Sequence, residues 1–332
     1  MQSFQAAIDA ETAAQSRFSW KDQLEKYGLL VAWVLLILVL GIFRPDQMFS
    51  WPPYATMFGS QAMVVILTLG LIIPLTAGDF DLSIASVMTL SSMLVAVFNV
   101  QMGLELGPTI FFCLAIGAMI GLINAFFTLY FRIHSLIVTL GVGYFINGMV
   151  LWVSNSNTIT GVSMNLIEGV ILTRLLGVPI AFYYGLILTL IIWYVFEYTS
   201  VGRRLLFVGK GAEVARLSGV NLNRMRTGAF VASAIIGAFA GILYTGMRGA
   251  ADPTSGLAFL LPAFAAAFLG STAISPGRFN AIGAFVAVYF LSTGIMGLNF
   301  LGVDTFVQNL FYGGGLVLAV AISQLIRNRQ PM

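Results

Sequence analysis

Ten apolar runs, most of them about as long as a bilayer is thick, constrain this chain more than any other feature. They read as residues 27–43, 55–76, 82–100, 106–131, 135–153, 178–198, 227–247, 258–272, 280–300 and 304–326. A helix crosses the hydrocarbon core with about 20 apolar residues, so each run is a candidate span. The connections between them are too short to house a soluble domain. The expected fold class is therefore an all-α integral membrane protein of about ten transmembrane helices. Residues 1–26 form a polar N-terminal segment, 27–326 the membrane domain and 327–332 a short tail. Composition agrees: 59% of the chain is apolar and 9% charged, against about 25% charged in soluble domains. A lipid bilayer is the one partner this composition demands. High hydrophobicity with few charges also excludes intrinsic disorder.

Orientation follows from the sixteen basic residues. With the N-terminus inside, Arg17, Lys21, Lys26, Arg132, Arg203, Arg204, Lys210, Arg216, Arg224, Arg226, Arg278, Arg327 and Arg329 all face the cytoplasm. Arg44, Arg174 and Arg248 fall outside. Basic residues mark the cytoplasmic side, so both termini are expected there. No small-residue cleavage site closes the first run, which reads as a retained span. Two places break the pattern. A turn at Gly78–Asp81 separates two long apolar stretches, and the run 258–272 is short and carries Pro262. Broken helices survive in a membrane only where protein or a water-filled cavity surrounds them. The working parts are expected at these two places.

Enzymatic chemistry is sparse. Gly209-Lys210-Gly211 lacks the spaced glycine and the final Ser/Thr of a phosphate loop. One histidine, His134, and one cysteine, Cys113, offer neither a metal cluster nor a nucleophile–base pair. His134 follows Arg132 at a cytoplasmic turn and reads as an interfacial residue. No catalytic and no metal-binding residue is assigned. A net charge of +3 gives no reason to expect nucleic acid.

Polar chemistry concentrates in residues 200–226, which carry seven charges. Within them, Ala212–Ser218 reads as a short helix and Gly219 is placed to end it. The segment is either a compact knob that another protein grips or a solvated basic loop that sets topology. Asp79 and Asp81 also allow two readings. Asp81 before Leu-Ser suits an N-cap for the third span, while intramembrane acids often line a gate or a proton path. Gln61, Asn124, Asn147 and Asn299 lie in or at the ends of spans. A buried amide needs a partner, so these residues either bond neighbouring helices or face a solute path. Gly117-x-x-x-Gly121 and Gly237-x-x-x-Gly241 read as close helix contacts. Residues 154–177 and 248–256 form the main outer connections.

Three segments carry a family resemblance. Gly78-Asp-Phe-Asp-Leu-Ser-Ile-Ala-Ser86, Gly209 followed by Glu213-Val-Ala-Arg-Leu-Ser-Gly-Val220, and Leu269-Gly-Ser-Thr-Ala-Ile-Ser-Pro-Gly-Arg-Phe279 stand in the family's order along the chain. They resemble the permease subunits of ribose/xylose/arabinose-type bacterial ABC sugar importers. Departures from the family pattern fall at Asp79, Ala85, Gly211, Val214 and Pro276. Asp79 stands where the family usually has Gly, and the reading is that it faces water. The resemblance implies a multi-pass permease of the bacterial inner membrane that hydrolyses nothing itself. Its partners would be an ATP-binding subunit holding ATP and magnesium, a periplasmic substrate-binding protein and a second permease copy. The helix at 209–220 would couple to the ATPase through Gly209, Glu213, Ala215, Arg216, Ser218 and Gly219. Gly78, Asp79, Asp81 and Ser83 form the gate or helix-cap motif, and the cargo would be a pentose, hexose or related polyol. Two rival functions are a proton-coupled secondary carrier using Asp79 and Asp81, and an ABC permease for a branched amino acid, a nucleoside or a signalling molecule. An internal repeat, common in carriers, is not evident in the sequence.

Overall fold

The computed structural model describes residues 20–304 and 306–327. Most of the expected N-terminal segment and all but Arg327 of the tail lie outside the described residues, as do Arg17 and Arg329. The principal helices are α1 (Trp20–Phe43), α2 (Trp51–Ser60), α3 (Ala62–Thr76), α4 (Ile84–Ala96), α5 (Leu106–Tyr130), α6 (Ser135–Val153), α7 (Ile180–Tyr198), α8 (Ser200–Lys210), α9 (Ala212–Leu217), α10 (Leu222–Arg248), α11 (Leu257–Gly270), α12 (Ala281–Phe300) and α13 (Phe306–Arg327). A π turn, Val97–Gln101, prolongs α4.

The expectation of about ten full spans is too generous. Among the described residues seven helices are long and apolar enough to cross a membrane, and α2 with α3, bent by 44° at Gln61, makes an eighth. The 14 residues of α11 rise only about 21 Å at 1.5 Å each, short of the roughly 30 Å core. Periodicity cannot reveal this, because a buried half-length helix is as apolar as a complete span.

The helices sort into two layers by how their apolar surface is satisfied. In α4, α10 and α12 two-thirds of the spanning window is buried against protein. In α5, α6 and α7 no more than a third is buried, and Phe111, Phe126, Tyr144, Phe145, Ile187 and Tyr194 turn outward. Those exposed faces suit lipid tails, where apolar side chains need no protein partner. At the centre, small residues let backbones close on α10. A Cβ on Gly117 would lie 2.7 Å from Ala238, and one on Gly237 would lie 2.8 Å from Ile84. Both glycine pairs therefore serve as the close contacts expected of them.

These contacts also set depth. Ile84, the first residue of α4, lies against Gly237 near the middle of α10. The chain leaves α3 at the level of the start of α10 and climbs to mid-depth before α4 begins. On the other side, α10 ends at Gly249 in the left-handed region (φ +66). Ala250–Ala251 pair antiparallel with Ile159–Thr160, and Gly256 then meets Ala85 and Thr89 of α4. Thus α11 also starts at mid-depth, and travels the opposite way. Its far end meets the base of α1, where the Ile274 N–H donates to the Lys26 carbonyl at 2.8 Å. α13 returns antiparallel to α12, Phe311 lying against Gly294. The described ends of α1 and α13 therefore share one side, as the charge pattern requires.

Candidate functional site

The first break is made by local sequence chemistry. Gly78 (φ +88) ends α3 in a Schellman arrangement: the Asp79 N–H donates to Pro74 and the Gly78 N–H to Leu75. An L residue disfavours that φ, so the glycine is required there. Residues 79–82 then run extended with no helical partners for their backbone. Side chains from α6 supply them. Ser135 Oγ accepts from the Phe80 N–H at 3.1 Å, and Thr139 Oγ1 accepts from the Leu82 N–H at 3.0 Å. Buried backbone polar groups must be paired, and two hydroxyls one helical turn apart meet that need.

The carboxylates of this segment are held from two other helices. Asp79, 3% exposed, accepts from Arg226 Nε and Nη2 of α10 at 2.7 and 2.6 Å. The expectation that Asp79 faces water is overturned: its bidentate partner is 147 residues away, and no local pattern announces it. Asp81 is fully buried. One of its oxygens accepts from the Ser83 N–H and hydroxyl, at 3.0 and 2.6 Å, and the other accepts from Ser233 Oγ of α10 at 2.7 Å. The N-cap position of α4 itself belongs to Ser83, whose side chain makes no capping bond. Asp81 instead holds the entry from two residues upstream.

Asn124 of α5 is fully buried and donates to Ser83 Oγ at 2.7 Å. Its carbonyl oxygen and the Thr128 hydroxyl, one turn further along, have no hydrogen-bond partner. The other amides stand apart from this cluster. Gln61 is partly buried at the bend between α2 and α3. Asn147 is half-buried on α6, one turn beyond Gly143, which touches Ser83 and Ser86. Asn299 is exposed at the C-terminal end of α12 and accepts from Gln308 at 3.0 Å. A cavity of about 460 Å³ beneath the break is lined by Gly78, Asp79, Thr128, Arg132, His134 and Arg226 among others. His134 caps α6, its Nδ1 accepting from the Leu136 N–H at 3.3 Å.

The charged segment folds as α8 and α9. Gly209 packs on the Thr76 carbonyl, where any Cβ would collide. Ala215 is fully buried, and Glu213 pairs with Arg216 at 2.5 Å on the exposed side. Gly219 (φ +82) closes α9, with the Val220 N–H donating to Ala215 and the Gly219 N–H to Arg216. Ser218 Oγ donates to the Val214 carbonyl. Val214 and Leu217 project outward, the latter 79% exposed. The third segment is also anchored: Arg278 pairs with Glu197 at the end of α7.

Comparison with known proteins now bears on this geometry. A family model described as "Branched-chain amino acid transport system / permease component" matches residues 54–320. The chain belongs to that permease family. The permease is 24% identical to the D-allose transport system permease protein AlsC of Escherichia coli, over 97% of this chain and 99% of that protein. It is 26% identical to the ribose import permease protein RbsC of the same organism, over 95% and 98%. It is 28% identical to the autoinducer 2 import system permease protein LsrD of Photorhabdus laumondii, over 92% and 91%. No solved structure gives a significant match. The permease is thus a multi-pass membrane protein and one component of a transport system. Sequence reading found the motifs but missed Arg226, Ser135, Thr139 and Ser233, the residues that complete the first break.

Proposed function

We propose that the permease is the membrane subunit of an ATP-driven importer in a bacterial inner membrane, moving a small sugar or related polyol. The observation that carries this reading is the end-to-end match to permeases for D-allose and ribose, covering 97% and 95% of the chain. An ATP-binding subunit would hold ATP and magnesium and grip α9, whose exposed Val214 and Leu217 flank the Glu213–Arg216 pair. Buried Ala215 seats α9 on the permease, Gly209 brings α8 close to the end of α3, and Ser218 with Gly219 fixes the exit from the helix. A periplasmic binding protein would dock on the outer connections, which the pairing of Ile159–Thr160 with Ala250–Ala251 joins into one surface. A second copy or paralogue would complete the path. Gln61, Asn124, Asn147 and Asn299 remain its candidate polar contacts. Asn124, with an unpaired buried oxygen beside the first break, has the strongest claim.

A second reading, import of a signalling molecule, draws support from the LsrD relative. The proton-carrier alternative is disfavoured because Asp79 and Asp81 are both held by donors. Purification through a C-terminal tag, followed by uptake of labelled ribose, allose and autoinducer 2 in proteoliposomes, tests the proposal. A stoichiometric ATPase and ATP-dependent uptake are expected, both lost on Glu213→Lys. A chain that purifies alone and transports down a proton gradient would sink the reading.

A further inference from the structure

The segment read as coupling to the ATPase touches the broken span twice. At one end Gly209 of α8 sits on the Thr76 carbonyl, the last residue of α3. At the other, Arg226 in the first turns of α10 holds Asp79, the first residue of the extended stretch. These two contacts bracket Ala77 and Gly78, the turn on which the break pivots. Between them lies α9, the exposed knob. Anything that displaces α9 must shift α8, the start of α10, or both, and each is attached to the foot of the broken span.

Gly209 sets α8 close against the Thr76 carbonyl. The Arg226–Asp79 bond is bidentate and charge-assisted, so it carries force in both directions and fixes orientation. A neutral residue at position 79 would leave the foot of the stretch without this link to the start of α10. The Asp79 side chain is 4% exposed and that of Arg226 31%, so the bond is largely shielded from competing water and salt. From Asp79 the chain leads within two residues to Asp81, which Ser233 holds to the same helix α10. The extended segment is therefore attached to α10 at both of its carboxylates, while Ser135 and Thr139 hold its backbone to α6.

We propose that Asp79 and Arg226 form a tie, a pair of positioning residues that stays closed through the transport cycle. It makes the foot of the broken span follow the coupling segment. This rests on the coupling role proposed above for α9. The tie binds neither solute nor nucleotide. Its loss leaves ATP hydrolysis running while less solute moves for each ATP consumed.

The experiment measures solute moved per ATP hydrolysed by the complete reconstituted transporter carrying Asp79→Asn, Arg226→Gln or both. Each single change is expected to lower that ratio about ten-fold, within the range that mutations along a coupling network produce. If the pair acts as one unit the double variant falls no further than either single, the signature of interacting residues in a double-mutant cycle. Arg226→Lys keeps the charge and loses the fork, and an intermediate ratio is expected; it also serves as the test variant should the neutral substitutions fail to assemble. Ratios within about two-fold of wild type, or losses that multiply in the double variant, overturn the tie. Glu213→Lys separates the two proposals. If it stays coupled, the assignment of α9 falls. If it uncouples while Asp79→Asn and Arg226→Lys do not, the tie alone falls.

Discussion

Two breaks in the membrane helices of the permease, before α4 and before α11, use the same three-residue device in opposite surroundings. At the first, one oxygen of Asp81 accepts from the Ser83 N–H and hydroxyl just before α4. At the second, one oxygen of Asp252 accepts from the Thr254 N–H and hydroxyl, both at 2.8 Å, just before α11. Asp-x-Ser and Asp-x-Thr thus precede two helices that begin at mid-depth and run in opposite directions. Asp81 is fully buried and its second oxygen is bound to Ser233 on another helix. Asp252 is partly exposed and serves its own turn. The local motif makes a turn shortly before a helix in either place, and only the tertiary partners turn it into a junction between helices. Backbone needs divide the same way. The first break borrows hydroxyls from Ser135 and Thr139, whereas the second pairs as a short ladder with Ile159–Thr160.

The largest effect should come from Asp81→Leu, which conserves approximate volume and removes every acceptor. The Ser83 N–H would then be left buried without a partner, at about 1–3 kcal/mol, and the link to Ser233 would be lost as well. The expected destabilisation is about 3 kcal/mol, read from the thermal unfolding midpoint in detergent. Asp81→Asn keeps one acceptor oxygen and should cost about 1 kcal/mol. Equal losses for the two variants would mean that charge, and not hydrogen bonding, makes this junction.

Glycines sharpen the contrast. A Cβ at Gly256 would strike the Ala85 carbonyl and Thr89 Oγ1, whose bond from the Gly256 N–H, 3.1 Å, joins the second break to α4. Gly256→Val should cost about 2 kcal/mol through overpacking. Gly78 has open space around its Cβ position but a φ of +88. Gly78→Ala should therefore cost about 1 kcal/mol, from backbone conformation alone. The second break is limited by room and the first by conformation. Melting midpoints in the reverse order would refute that assignment.

How much of this was legible in the sequence depends on the range of each interaction. Helical character, both breaks, the glycine contacts and the end of α9 at Gly219 all rest on local patterns, and the structure bears each out. Depth does not, because α11 is as apolar as a helix that crosses fully, and so the count of ten was too high. Long-range partners do not either. Asp79 looked solvated because its cation is 147 residues away, on a helix whose other basic residues, such as Arg224, are exposed. Ser135, Thr139 and Ser233 are ordinary hydroxyls within apolar helices, where a bond to the preceding turn usually suffices. A bare extended segment in the membrane nevertheless demands donors and acceptors from somewhere. That demand was a signal that hydroxyls on neighbouring helices should be sought.

Asp252→Leu gives the smallest effect and the cleanest test of the comparison. The substitution removes the same two bonds that Asp81→Leu removes beside its own helix, from the Thr254 N–H and hydroxyl. Thr254 is exposed, so water can replace the lost acceptor. The expected cost is about 0.5 kcal/mol, the low end for loss of a capping side chain, and the melting midpoint should barely move. α11 keeps its other anchor, the Gly256 bond to Thr89, which the substitution does not touch. A loss as large as that of Asp81→Leu would show that the outer turn is sealed from water in the assembled protein. Burial in the single chain would then understate burial in the transporter. Restoration of the midpoint by Asp252→Asn, which retains an acceptor oxygen, would trace that loss to the turn itself and not to the added leucine.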